Sequence, residues 1–101
     1  MALMQITIFP LATETPSVGQ YIADIQKFLQ NQKLPFALHD MGTIIEGNPQ
    51  ELLALAAELC EIPFARGNRR VITHITMDDR RDISVSLGDK LTSAERHMLS
   101  S

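Results

Sequence analysis

Leu34-Pro35-Phe36-Ala37-Leu38-His39-Asp40-Met41-Gly42-Thr43-Ile44-Ile45-Glu46-Gly47-Asn48-Pro49 is the stretch on which the fold turns. It holds two short strand-like runs, 36–40 and 43–46, with Met41-Gly42 between them. Such a pair of residues forms a tight hairpin or a bulge. Pro35 restricts Leu34 to extended backbone, which favours a strand next. Gly47-Asn48-Pro49 is a turn, with Asn48 placed to cap a helix and Pro49 at its first position. Two strands this close in sequence pair antiparallel, because a parallel pair needs a crossover of a dozen or more residues.

Outward from this hairpin the pattern repeats on both sides. Residues 3–11 read as a strand, with Met4, Ile6 and Ile8 on one face and Gln5, Thr7 and Phe9 on the other. Pro10 is expected to end regular pairing, and 13–16 to form a loop. Ser17 is a good N-cap, with Gln20 three residues on. Val18, Tyr21, Ile22, Ile25, Phe28 and Leu29 then recur at helical spacing, and 31–35 closes that helix. Beyond the hairpin, Leu52, Leu55, Ala56 and Leu59 form the buried stripe of a second helix. Pro63 removes the hydrogen bond to the carbonyl of Leu59 and is expected to kink or end it. Gly67 serves as a stop. Residues 71–77 read as the last strand, with Val71, Thr73, Ile75 and Met77 opposite Ile72, His74, Thr76 and Asp78. The run Asp78-Asp79-Arg80-Arg81-Asp82 is expected to end that strand, since burying an unpaired charge costs several kcal/mol or more. Residues 93–99 predict a short terminal helix.

The order is therefore strand, helix, strand, strand, helix, strand. Long connections carry the helices, and a short one joins the central strands. This is the ferredoxin-like α+β arrangement, βαββαβ, with a four-stranded antiparallel sheet, two helices on one face and a short C-terminal helix. Right-handed crossovers place both helices on the same face. The 101 residues predict a single domain, 1–101.

Composition narrows the function classes. With 45% hydrophobic and 21% charged residues the chain is ordinary for a soluble domain. Its net charge of −3 argues against a general nucleic-acid binder, which needs a basic face. No apolar run nears the ~20 residues that span a bilayer. Residues 1–11 lack the basic flank of a signal peptide. One cysteine, Cys60, forms no intrachain disulfide and fits a reducing compartment, so a cytoplasmic location is expected.

Two helices cover one face only. The other should carry Gln5, Thr7 and Phe9 with Ile72, His74 and Thr76, plus either Ile44 and Glu46 or Thr43 and Ile45. Its mixture of apolar and polar residues is that of a face buried against another subunit or lining a pocket. His74 there fits a ligand contact or an interface hydrogen bond equally. Glu46 is a carboxylate in an apolar strand and needs a partner. An arginine of a neighbouring subunit and a cationic or amino-bearing ligand both qualify. Catalytic sets are lacking. Asp78 and Asp79 point in opposite directions, and Arg80 and Arg81 neutralise them. His39, His74 and His97 match no metal spacing. Cys60 reads as a small core residue. Ser17 has no nucleophile-elbow context, and neither phosphate-binding glycine motif is present. The reading is of a protein that is not an enzyme, with no catalytic residues, no metal and no cofactor.

Met41-Gly42-Thr43 with Glu46, then Arg70-Val71 leading into Asp78-Asp79-Arg80-Arg81-Asp82, resembles the small thiamine-binding, or hydroxymethylpyrimidine-binding, proteins. The opening strand ending at Pro10-Leu11, the helix start from Ser17 to Tyr21 and the late Leu87 and Lys90 also fit, so the resemblance spans nearly the whole chain. It implies a ferredoxin-like fold, homodimers assembling into homotetramers, and binding of thiamine or its pyrimidine half in some members without catalysis. In such a pocket Phe9, Tyr21, Met41 and Ile44 are expected as walls, Thr43 and Ser17 as hydrogen-bonding groups, and Glu46 as the charge that offsets a thiazolium. The Asp78 to Asp82 run is expected at the subunit interface. The competing expectation is an oligomeric structural or protein-interaction module with no small-molecule ligand.

Overall fold

The computed structural model describes residues 1–11 and 18–100, the side chain of Val18 apart. The expected loop 13–16 and the Ser17 cap lie outside the described residues. Four strands and three helices follow one another as β1 (Ala2–Leu11), α1 (Val18–Gln30), β2 (Phe36–His39), β3 (Gly42–Gly47), α2 (Pro49–Ala65), β4 (Arg70–Asp79) and α3 (Asp89–Ser100). The strands form one antiparallel sheet in the order β2-β3-β1-β4, the ferredoxin-like topology.

One face of the sheet carries the core. Ala2, Met4 and Ile6 of β1 and Ile45 of β3 pack against Ile25 and Leu29 of α1 and Leu52, Leu55, Ala56 and Leu59 of α2. These are the residues that alternate along the strands and recur at helical spacing. Burying each large one stabilises the fold by about 1.5–3 kcal/mol. Asn48 caps α2 as its position predicts, its Oδ1 accepting the N–H of Gln50 at 3.0 Å. Pro63 is fully buried, and α2 continues two residues beyond it to Ala65. The Pro63 carbonyl then gathers the N–H groups of Arg66 at 3.1 Å and Asn68 at 3.2 Å, which closes the helix. At that end Arg66 donates to both carboxylate oxygens of Asp24, tying α2 to α1 and holding the Asp24 carboxyl below the usual carboxylate range.

Three expectations need correction. Pro10 does not end pairing: it stands opposite Val71, and Leu11 opposite Arg70. β3 leaves β1 after Ile6, so at Pro10 the strand has a neighbour on one side only, where a missing N–H is tolerated. The charged run does not stop β4 at Met77 either. Pairing continues through Leu3 with Asp78 and Ala2 with Asp79. β4 is an edge strand, so its charged end remains in solvent and costs no burial. The terminal helix begins four residues earlier than expected, at Asp89. Asp89 Oδ2 accepts the N–H of Ser86 at 2.7 Å, a capping turn that Ser86-x-x-Asp89 encodes.

Candidate functional site

The second face of the sheet is assembled by register. Leu3 stands opposite Glu46 and Gln5 opposite Ile44, so Ile44 and Glu46 share the face of Gln5, Thr7 and Phe9. Thr43 and Ile45 face the helices, and both are buried. The face is not bare. Residues 86–91 cross it, held by the Leu87 N–H donating to Glu46 Oε1 at 2.6 Å and by Lys90 Nζ donating to Asp78 Oδ2 at 3.2 Å. Glu46 thus has a partner within its own chain, a backbone amide rather than an arginine. Beneath this strap lies an open cavity of about 410 Å³ with walls from Leu3, Ala37, Ile44, Leu87 and Leu91 and with Lys90 at its side.

A smaller recess of about 160 Å³ opens on the other side of the hairpin, between α1 and the free stretch of β1. It exists because β2 and β3 end at Ile6, leaving Ile8 and Phe9 without a neighbour on that edge. Ile8, Phe9, Ile22 and Ile25 make it apolar. Its polar groups converge from three elements. Gln26 Nε2 of α1 donates to Thr43 Oγ1 of β3 at 3.2 Å, and Asp40 lies on the hairpin turn. Phe9 is steadied by His74, whose ring meets it edge-on at a centroid distance of 5.6 Å. His39, Met41 and Gly42 line both cavities, so the hairpin tip is the wall between them.

That tip is pinned to β1. Thr7 Oγ1 donates to the Met41 carbonyl at 2.7 Å. Gly42 has φ of +152°, and a Cβ there would lie 2.6 Å from Thr7 Oγ1 and 2.9 Å from the Ile6 carbonyl oxygen. Only glycine permits so close an approach.

The residues named from sequence therefore divide. Phe9, Met41 and Thr43 come together in the recess; Met41 and Ile44 line the larger cavity. Glu46 anchors the strap. Tyr21 is buried, its hydroxyl accepting from Asn68 Nδ2 at 2.7 Å. Ser17 lies outside the described residues. Gln26 and Asp40 of the recess escaped the sequence reading. Gln26 flanks the buried stripe beside Ile25, and a polar residue there gives no local sign that it meets Thr43. Cys60 is half-buried with Sγ 3.1 Å from Thr73 Oγ1. Along the charged run, Arg81 pairs with Asp79 at 2.9 Å and Arg80 with Asp82 at 2.7 Å, and these bonds hold both carboxyls below the usual range. Among the described residues no three His, Cys, Asp or Glu side chains gather as metal ligands, and no helix is long and apolar enough to cross a membrane.

A family model described as thiamine-binding protein matches residues 4–95. UPF0045 protein YqgV of Bacillus subtilis is 42% identical over 102 residues, covering 97% of this chain and 98% of that one. Among solved structures, a hypothetical protein of Methanocaldococcus jannascii superposes with a TM-score of 0.82 at 23% identity, over 93% of this chain and 95% of the other. A Thermotoga maritima protein provisionally assigned to thiamine biosynthesis or salvage superposes with a TM-score of 0.77 at 15% identity, over 92% and 97%. At those identities the two structures speak for the fold.

Proposed function

Because the chain belongs to the thiamine-binding protein family, we propose that it binds thiamine, or the hydroxymethylpyrimidine half alone, in the recess between α1 and the β2–β3 hairpin. It does so without chemistry, as a carrier, buffer or sensor. The observation that carries this reading is the Gln26–Thr43 pair on an otherwise apolar wall. An aminopyrimidine offers an amino donor and ring-nitrogen acceptors in one plane. Gln26 spends an N–H on Thr43, which leaves its carbonyl oxygen to accept from the amino group. The Thr43 hydroxyl proton is left to donate to a ring nitrogen. A recess of about 160 Å³ suits one small ring, with the thiazolium reaching towards the mouth. There Asp40 supplies negative charge and Phe9 an aromatic ring, a contact worth about 0.5–2 kcal/mol for a cation. The larger cavity suits a cation less well, because Lys90 lies beside it.

Isothermal titration with thiamine and, separately, with hydroxymethylpyrimidine tests this. Saturable binding to both is expected. Thr43→Val removes one hydrogen bond worth about 0.5–1.5 kcal/mol, so both ligands should weaken roughly 2- to 12-fold. Asp40→Asn should weaken thiamine more than the neutral pyrimidine. Absence of heat with either ligand at two temperatures would refute the proposal. Equal loss of both ligands in Asp40→Asn would refute the placement of the thiazolium.

A further inference from the structure

Residues 86–91 cross the second face of the sheet without closing down on it. Glu46 grips the Leu87 amide, and Gly88, at φ +92°, turns the strap into α3. The gap left beneath is the open cavity of about 410 Å³. Sites for small molecules typically measure about 300–1,000 Å³. Leu3, Ala37 and Ile44 wall the gap from three neighbouring strands, and Leu87 and Leu91 wall it from the strap. Protein interiors are normally close-packed, and apolar walls that stand apart favour an apolar group that displaces the water between them. Here a charge-assisted bond holds the strap over a gap instead of filling it.

The polar groups of the cavity share one character. Gln5, His39, Ser86 and Lys90 can all donate a hydrogen bond, and among the described residues no carboxylate lines the cavity. The carboxylates nearby are already engaged. Glu46 accepts from the Leu87 amide, Asp89 from the Ser86 amide and Asp78 from Lys90. The Lys90 ammonium carries three N–H groups and gives one to Asp78, and its side chain is 85% exposed. Apolar walls, a donor-bearing rim and one ammonium are complementary to an apolar tail that ends in a single carboxylate. A doubly charged phosphate fits less well, because one cation would have to offset it beside Asp78 and Glu46.

We infer that this cavity is a second ligand site, for a straight-chain monocarboxylate, with the tail beneath the strap and the carboxylate at Lys90. It stands independently of the ligand proposed for the recess. The two cavities share only the hairpin tip, and the recess walls Ile22 and Ile25 take no part in this one.

Methyl NMR of the whole chain titrated with sodium octanoate tests the assignment. Saturable shifts are expected at Leu3, Ala37, Ile44, Leu87 and Leu91, with Ile22 and Ile25 unmoved. Each methylene removed from the tail should weaken binding about 4-fold, so hexanoate should bind roughly 10- to 15-fold more weakly than octanoate. Octanol and octylammonium, which keep the tail and change the head, should both bind more weakly than octanoate. Lys90→Glu should weaken octanoate roughly 3- to 10-fold and leave octanol unchanged. Ala37→Leu gives a readout that does not depend on charge. It fills the gap, so octanoate binding should fall at least tenfold while the melting temperature holds or rises. Octanoate that produces no saturable shifts, or shifts centred on Ile22 and Ile25, overturns the inference. Octylammonium or octanol binding as tightly as octanoate overturns it too, as does an Ala37→Leu variant that binds octanoate like the parent.

Discussion

Substituting alanine at Gly42 tests whether the hairpin is held against β1 as closely as the structure shows. The new Cβ would meet Thr7 Oγ1 at 2.6 Å and the Ile6 carbonyl oxygen at 2.9 Å. The hydroxyl can rotate away, but doing so breaks its bond to the Met41 carbonyl, worth about 0.5–1.5 kcal/mol. The carbonyl belongs to the backbone of β1 and cannot move without disturbing the central strand. Backbone at φ +152° adds a cost of about 1–3 kcal/mol for any side chain. Together these amount to about 3 kcal/mol, against a stability of about 5–15 kcal/mol for a domain of this kind. The variant should fold, with a melting temperature lower by roughly 12–24 °C at about 4–8 °C per kcal/mol. Urea unfolding followed by circular dichroism should show a lower midpoint and an unchanged slope. Gly19→Ala is the control, because a Cβ there meets nothing within 4 Å and α1 should gain up to about 1 kcal/mol. A Gly42→Ala unfolding free energy within about 1 kcal/mol of the parent's would refute the reasoning, because the hairpin would then have room that the geometry denies it.

Glu46→Ala should free the strap over residues 86–91 by removing the acceptor of the Leu87 N–H, a charge-assisted bond worth about 1.5–3 kcal/mol. Limited proteolysis should then cut this stretch faster, while thiamine titration into the recess is unchanged; lost binding with an intact strap would move the site to the larger cavity. Asp24, Asp79 and Asp82 each have a folded-state pKa lowered by an arginine hydrogen bond, from Arg66, Arg81 and Arg80 respectively. Their contribution is fully present above the unfolded carboxylate pKa of about 3.9 and is lost as pH falls through the lower folded values. The urea midpoint should therefore hold steady from neutral pH to about 5 and decline below about 4. Asp24→Asn should lower the plateau and make the decline shallower; a decline as steep as the parent's would count against the Arg66 pairing.

Much of this molecule is legible in its sequence because the relevant physics is local. Alternation in 3–11, helical spacing from Tyr21 to Leu29 and the Asn48-Pro49 start depend on neighbours within a few residues. The order of elements they produce leaves few ways to build a sheet. Long-range pairing decided the rest. Nothing near Pro10 or Asp78 shows that one strand has lost a neighbour and the other is an edge, and those two facts keep both residues in the sheet. Which of Thr43 and Glu46 looks at the helices depends on the partner of Leu3, a residue more than forty positions away from Glu46.

The candidate site follows the same division. Residue types alone single out Phe9, Met41, Thr43 and Glu46, since an aromatic, a tight turn, a hydroxyl and a lone carboxylate stand out in apolar strands. Only the folded chain seats Thr43 against Gln26, gives Glu46 to the Leu87 amide and sinks Tyr21 beside Asn68. A side chain's type sets what it can bond. Where the chain crosses itself sets which bonds are within reach, because hydrogen bonds act over about 3 Å and the chain must close on itself before they form.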